Sequence, residues 1–172
     1  MKPLLQVFSY IDKFHEFVAK MTAWLIIVLI FTMTFEVGSR YLFSNPTIWS
    51  YDLSYFLSSL FLMFGMAYTL SVKGHVNIDI FYARFTPRVK AGFDIAFALL
   101  LFFPLWFLII KLMIPHFQFS FNMNEKSSFG SWFPIIWPFK LWILLGLIML
   151  LVQGIVEFLR DVLWLIKGGE RP

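Results

Sequence analysis

The stretch Ile95–Ile110, IAFALLLFFPLWFLII, decides the fold, because it contains no Asp, Glu, Lys, Arg or His. Three further stretches share this property: Met21–Phe35, Leu53–Val72 and Leu141–Val156. With borderline flanks, each reaches about 20 residues, enough for a helix to cross about 30 Å of hydrocarbon. The sequence therefore predicts an all-α integral membrane protein with four transmembrane helices and short interfacial amphipathic helices.

The composition agrees with a membrane protein. Of the 172 residues, 60% are hydrophobic and 14% are charged, and the mean hydropathy is +0.78. These values exclude an ordinary soluble domain. We expect one membrane domain over 1–172, with an interfacial helix at about 3–17 and spans at about 18–43, 49–73, 88–114 and 134–160. There is no cysteine, so a disulfide framework and a thiolate metal site are both excluded.

The basic residues predict the orientation in the membrane. The net charge of +4 is concentrated before the first span, between the second and third spans, and after the fourth. By the positive-inside rule, both termini and the middle loop are cytoplasmic and the other two loops lie outside. Since topology accounts for these charges, we predict no nucleic-acid partner. The residues concerned are Lys2, Lys13, Lys20, Lys73, Arg84, Arg88, Lys90, Arg160, Lys167 and Arg171.

Several helix boundaries can be read from prolines. Thr86-Pro87 is typical of a helix start, with proline at the first helical position, and it would open the third span. Pro104 lies inside that span and should kink it, with neighbouring groups satisfying the freed carbonyl. Pro115 is expected to close the span or to loosen its end. The second outer loop would then run over about 116–133.

Two pairs of polar residues stand at the outer ends of spans. Glu36 and Arg40 are four residues apart, in the favourable order for an ion pair within a helix. Such a pair either lets the helix end settle at the interface or contacts a partner subunit. Trp49 and Asp52 share a helix face near the outer surface, where an aromatic anchor and a helix-start acid are both common.

The cytoplasmic loop begins with Gly74-His75, where a histidine next to a capping glycine favours a role in pH sensing or loop packing. The three histidines lie in different segments, so we expect no metal site. The sequence contains no nucleophile–base set, phosphate-binding loop or paired carboxylates. We therefore predict neither an enzyme nor a bound cofactor.

In order along the chain, these residues form a recognisable pattern. The motifs are Glu36-x-x-x-Arg40-Tyr41, Trp49-x-x-Asp52 and Gly74-His75-Val76-Asn77-Ile78-Asp79, followed by Arg84, Pro87, Pro134, Pro138 and Lys140. The ordered set resembles the small membrane subunit (DctQ type) of tripartite ATP-independent periplasmic (TRAP) transporters over about residues 18–160. Asp52 departs from the pattern, since the family more often has Glu there.

The resemblance implies a division of labour among three proteins in the bacterial inner membrane and periplasm. A large membrane subunit would move the substrate by an elevator-like motion, and a soluble periplasmic binding protein would deliver it. A sodium gradient would drive uptake, with sodium bound in the large subunit. The small subunit would anchor the large one among the membrane lipids and help to dock the binding protein. Family substrates are mostly carboxylates and related organic acids.

The resemblance also implies roles for individual residues. Residues near the span ends would serve subunit contact and membrane placement, and residues of the second outer loop would dock the binding protein. The first group is Glu36, Arg40, Tyr41, Trp49, Asp52, Gly74, His75, Arg84 and Lys140, and the second is Asn124, Glu125 and Lys126.

Two other classes of function stay open at the level of sequence. The chain could be an accessory or assembly subunit of another membrane complex. It could also be a self-sufficient transporter that works as an antiparallel homodimer of four-helix chains. The second class needs an acid within a span to bind the coupling ion, whereas the middles of the four spans have none. The clear bias of the basic residues also disfavours a dual orientation.

Overall fold

The computed structural model describes residues 2–74 and 85–167, which are almost entirely helical. Over these two ranges the only extended pairing is an isolated bridge between Lys126 and Ile135. The helices are α1 (Lys2–Ala23), α2 (Leu25–Leu42), α3 (Ser50–Ser71), α4 (Pro87–Phe97), a π-helical segment (Ala98–Phe102), α5 (Phe103–Met123) and α6 (Trp137–Lys167).

Within residues 2–74 and 85–167, four stretches are long and apolar enough to cross a membrane: Leu5–Leu42, Ser50–Ser71, Arg88–Met123 and Trp137–Ile166. They confirm the predicted all-α fold with four spanning helices. The ends of the spans in the bilayer, the interfacial placement of the N-terminal segment and the orientation stay predictions.

The centre of the molecule is the pair α3 and α6, on which the other helices pack. Phe64 and Ala67 of α3 and Leu147 and Leu150 of α6 are buried in this interface. A Cβ atom added at Gly146 of α6 would lie 2.9 Å from the Cβ of Met63, so only glycine allows the two backbones to approach this closely.

The N-terminal helix packs against both central helices rather than standing apart from them. Phe8 and His15 of α1 are buried, whereas Tyr10, Phe14 and Phe17 are exposed. The buried residues lie on one face because positions seven apart on a helix nearly coincide in direction. Only one non-helical residue, in a turn conformation, separates α1 from α2.

The third membrane stretch combines α4, the π segment and α5. As predicted, α4 begins at Pro87, after Thr86 in an extended conformation with φ −65° and ψ 152°. The kink expected at Pro104 stays a prediction, and the π segment lies just before this proline. Pro104 has no N–H to donate, and the Phe103 N–H donates to the carbonyl of Ala98, five residues back.

Pro115 does not end α5, and whether it closes the span or loosens its end in the bilayer stays a prediction. The helix continues to Met123 and ends where Asn124 adopts the left-handed conformation with φ 46° and ψ 47°. A proline removes one backbone hydrogen bond, and the following turns remain helical because their own bonds are intact. The α5–α6 loop is therefore 124–136.

Candidate functional site

The predicted ion pair in the C-terminal part of α2 is present and also holds the α2–α3 loop (43–49). Arg40 donates to Oε1 of Glu36 from Nη2 at 2.5 Å and from Nε at 3.0 Å. The other carboxylate oxygen accepts the Thr47 N–H at 2.9 Å and the Thr47 hydroxyl. Glu36 is buried, whereas 57% of the Arg40 side chain is exposed. The pair thus ties the loop to α2 and presents a guanidinium on the surface.

The two aromatic residues predicted near this pair lie in different environments. Tyr41 follows Arg40 and is largely exposed. The ring of Trp49 stacks on that of Phe35, with centroids 6.0 Å apart and planes at 21°. Trp49 therefore helps to hold the start of α3 against α2, while Tyr41 is accessible to lipid or to a partner.

Asp52 lies in the first turn of α3, as predicted, but its carboxylate is completely buried beneath the α5–α6 loop. The Ser127 hydroxyl donates to Oδ1 at 2.9 Å and accepts the Phe129 N–H at 3.3 Å. The other oxygen, Oδ2, has no hydrogen-bond partner among the described residues. Gly130 lies so close to Oδ2 that a Cβ atom there would overlap it. Asp52 therefore anchors this loop from below.

Glu125 and Lys140 close the α5–α6 loop from its two ends. Lys140 Nζ lies 2.6 Å from Oε2 of Glu125, which also accepts the hydroxyl proton of Ser120. Hydrogen bonds from Lys140 and then from Ser120 hold the pKa of Glu125 below its ordinary value. The backbone N–H of Ile136 donates to the Glu125 carbonyl at 2.9 Å. Lys140 is thus a partner of Glu125, a contact that the sequence did not predict.

The remaining predicted residues have separate positions. Asn124 and Lys126 are exposed at the rim of the α5–α6 loop. Gly74 follows the end of α3, where its N–H donates to the Thr69 carbonyl at 2.8 Å, and Lys73 before it takes the left-handed conformation. His75 and Arg84 lie outside the described residues.

A further set of polar side chains joins α1 to α6. Nδ1 of His15 donates to Oε1 of Gln153 at 2.8 Å, and both side chains are buried. The Gln153 amide nitrogen donates to Asp12 Oδ1 at 3.0 Å and to Glu157 Oε1 at 3.2 Å. Arg160 donates to the same two carboxylates, with Nη1 at 2.5 Å from Glu157 Oε1 and Nη2 on Asp12 Oδ2. We call these five residues the inner network.

The inner network was not predicted, although part of its pattern is visible in the sequence. Phe8, Asp12 and His15 follow the four-and-three spacing of one helix face, as do Gln153, Glu157 and Arg160. The Arg160 guanidinium also lies 5.6 Å above the ring of Phe8. The same spacing on two helices that are far apart in sequence does not show that their polar faces contact each other. In chemical terms, an amide and a guanidinium both bridge two carboxylates that would otherwise repel one another.

The described residues include no group of three or more His, Cys, Asp or Glu side chains placed to hold a metal ion. The polar groups link helices and loops of this chain to one another. They are suited to positioning, and we find in them no arrangement for catalysis.

A comparison with known protein families identifies the family to which this chain belongs. The family model described as "Tripartite ATP-independent periplasmic transporters, DctQ component" matches residues 27–163, well over half of the chain. The chain belongs to this family. It is therefore a small subunit of a TRAP transporter, and its four apolar stretches make it a multi-pass protein of the inner membrane.

One curated relative is the sialic acid TRAP transporter small permease protein SiaQ of Vibrio cholerae serotype O1. It is 28% identical over 69 residues, which is 40% of this chain and 40% of the relative. The chain thus spans about two fifths of the length of the relative that it matches.

Proposed function

We propose that this chain is the scaffold subunit of a sodium-driven importer of an organic acid. It holds a large transport subunit in the membrane and offers part of the docking surface for a soluble periplasmic binding protein. The observation behind this proposal is the position of the buried acids. Glu36 and Asp52 lie toward the ends of their helices that are predicted to face outward, and each is hydrogen-bonded to a loop residue of this chain. A subunit that bound the coupling ion itself would need an acid in the middle of a span, and the apolar middles of the four spans contain none.

The substrate class rests on the family and on the curated relative. That relative is named for a sialic acid transporter, and a sialic acid carries a carboxylate. We infer a carboxylate-bearing substrate that the binding protein captures and the large subunit moves. Within such a complex this chain needs no substrate or sodium site of its own.

A reconstitution experiment tests the transport function. The large subunit is placed in liposomes with and without this chain, and the soluble binding protein is added with one labelled carboxylate at a time, sialic acid included. Uptake should require all three proteins and an inward sodium gradient. Full uptake without this chain, or uptake that ignores the sodium gradient, would contradict the proposal.

Arg40 is the best candidate for contact with the large subunit, because its side chain is charged, more than half exposed and held in place by Glu36. Arg40→Ala should lower the amount of large subunit that co-purifies with this chain. Lys20→Ala is the matched control, since Lys20 pairs with Glu16 at the same four-residue spacing and 2.6 Å. Equal recovery with both variants would remove Arg40 from the interface.

For the binding protein, the α5–α6 loop offers Asn124 and Lys126, whereas the Glu125 carboxylate already binds Lys140 and Ser120. A charge at the rim of an interface acts mainly on the association rate. Lys126→Glu should therefore slow association of the binding protein with the membrane complex, with Lys13→Glu, an exposed position of α1 on the predicted cytoplasmic side, as control. Identical association rates for both variants would place docking elsewhere.

A further inference from the structure

A groove of about 630 Å³ lies between α3, the α4–α5 stretch and α6, in the half of the molecule predicted to face the cytoplasm. Its volume falls within the range of about 300–1,000 Å³ that is usual for small-molecule pockets. It is separate from the outer loops and touches the inner network only at Glu157.

The lining of the groove is ordered along the helix axes. Toward the middle of the membrane it is apolar, with Met66 of α3, Leu105 of α5 and Leu150 of α6. Neighbouring positions continue this apolar surface with Phe102 and Trp106. An aliphatic chain would therefore contact only hydrocarbon and aromatic rings along this part of the groove.

The opposite end of the groove is charged on all three sides. Lys73 follows α3, Asp94 lies on α4, and Glu157 and Asp161 lie on α6. The three helices thus change from apolar to charged at the same end, which is the predicted cytoplasmic interface. This is the order of chemical groups along a phospholipid, with its tail in the hydrocarbon and its headgroup at the water.

The shape of the groove depends on the π segment. Ala98 and Phe102, at the two ends of that segment, both line the groove. The Phe102 ring lies against Gly154 so closely that a Cβ atom on Gly154 would overlap it. π-Helical insertions in α-helices are frequent at functional sites, and residues at both ends of this one line the groove.

We propose that the groove binds a membrane phospholipid whose headgroup contains both a phosphate and a primary amine, as in phosphatidylethanolamine. Lys73 would donate to the phosphate, and the carboxylates of Asp94, Glu157 and Asp161 would accept from the ammonium group. An ionised carboxylate accepts several hydrogen bonds, so contacts within the chain do not prevent this. Three acids against one lysine disfavour an anionic headgroup. The proposal does not depend on the transport function.

The test uses the purified full-length chain with any subunit that accompanies it. After delipidation it is exchanged into vesicles of phosphatidylethanolamine and phosphatidylglycerol with identical acyl chains, and retained lipid is counted by native mass spectrometry. We expect one tightly retained phosphatidylethanolamine. Ala98→Phe, which fills the groove, should abolish its retention, and Ala96→Phe, on an exposed position of the same helix, should not. Lys73→Gln should weaken retention about fivefold, from the loss of about 1 kcal/mol of headgroup attraction.

Several results would overturn the proposal. Equal retention of the two lipids would contradict the headgroup assignment, and unchanged retention in Ala98→Phe would place the lipid elsewhere. Because the chain has no cysteine, Ala98→Cys gives a single attachment point for a cross-linker. Efficient cross-linking to an accompanying subunit in native membranes, with no retained lipid, would make the groove a protein interface. If Ala98→Phe fails to fold, unchanged retention in Lys73→Gln decides against the proposal.

Discussion

The inner network and the anchor of the α5–α6 loop both bury charged groups, but they satisfy them differently. In the inner network, the Gln153 amide and the Arg160 guanidinium each bridge the same two carboxylates. At the anchor of the α5–α6 loop, Asp52 has one carboxylate oxygen bound by Ser127 and one without a hydrogen-bond partner among the described residues. The inner network joins two helices, and its amide and both of its carboxylates are hydrogen-bonded. The anchor holds a loop with a single hydrogen bond, so the two sites should respond very differently to mutation.

The largest expected effect is at Arg160. Arg160→Leu leaves Asp12 and Glu157 facing each other with only a neutral amide between them. Removing one partner of a buried ion pair costs about 3–5 kcal/mol, and the low end applies because these side chains keep some exposure. An unfolding titration with SDS in mixed micelles measures the change. Lys20→Ala, in an exposed ion pair, should leave the free energy of unfolding unchanged. Similar results for both variants would mean that the inner network does not hold α1 to α6.

A smaller loss is expected at the centre of the same network. Gln153→Leu keeps the volume near that of glutamine but removes the hydrogen bonds to His15, Asp12 and Glu157. Leaving such buried groups without partners costs about 2 kcal/mol in the same titration. Gln153→Glu is the informative companion, because it places a third carboxylate among two others and should destabilise the protein more than leucine does. An unchanged free energy of unfolding in Gln153→Leu would show that Arg160 alone holds the two carboxylates.

The fold could be predicted because each span is a property of one continuous stretch of sequence. Apolar runs such as Ile95–Ile110 need no knowledge of their neighbours to be recognised. The ion pair of Glu36 and Arg40 is equally local, since its partners are one helical turn apart. The end of helix α5 was harder to predict, because the helix continues past Pro115 through hydrogen bonds in later turns that do not depend on the proline itself.

The polar contacts between distant segments could not be predicted in the same way. His15 and Gln153 are 138 residues apart, and their contact depends on how α1 packs against α6. Asp52 has the same difficulty: its place in the first turn of α3 was readable, but its burial depends on Ser127 in another loop. The charge of Glu125 was read as accessible for docking, although its partner is Lys140. Sequence supplies the faces of the helices, and packing decides which faces meet.

At the Asp52 anchor of the α5–α6 loop, we expect the free energy of unfolding to change by about 1 kcal/mol or less. Ser127→Ala removes the hydrogen bond to Asp52 and should lower the free energy of unfolding by about 1 kcal/mol. Asp52→Asn keeps an oxygen for Ser127 and removes a buried negative charge that has only one hydrogen bond, so it should change stability little. The same titration measures both variants. A loss at Asp52→Asn as large as that at Arg160→Leu would show that the two sites are alike after all.

The smallest expected effect is a pH dependence of the α5–α6 loop. Hydrogen bonds from Lys140 and Ser120 hold the pKa of Glu125 below its ordinary value of 4.5. A lowered carboxyl pKa stabilises the folded state above the unfolded pKa, and this stabilisation is lost as the pH falls through the folded value. The Glu125 side chain is 36% exposed, so solvent screening limits the contribution to about 0.5 kcal/mol.

The stability difference between wild type and Glu125→Gln should therefore be constant from neutral pH down to about 5 and should shrink below about 4.5. Lys140→Met removes the main cause of the pKa shift, and in that background the pH dependence of the difference should largely disappear. A difference that instead grows on acidification would mean that protonated Glu125 is the form that the folded loop prefers. In that case removal of a charge would change the stability of the α5–α6 loop and of the inner network with opposite signs as well as with different magnitudes.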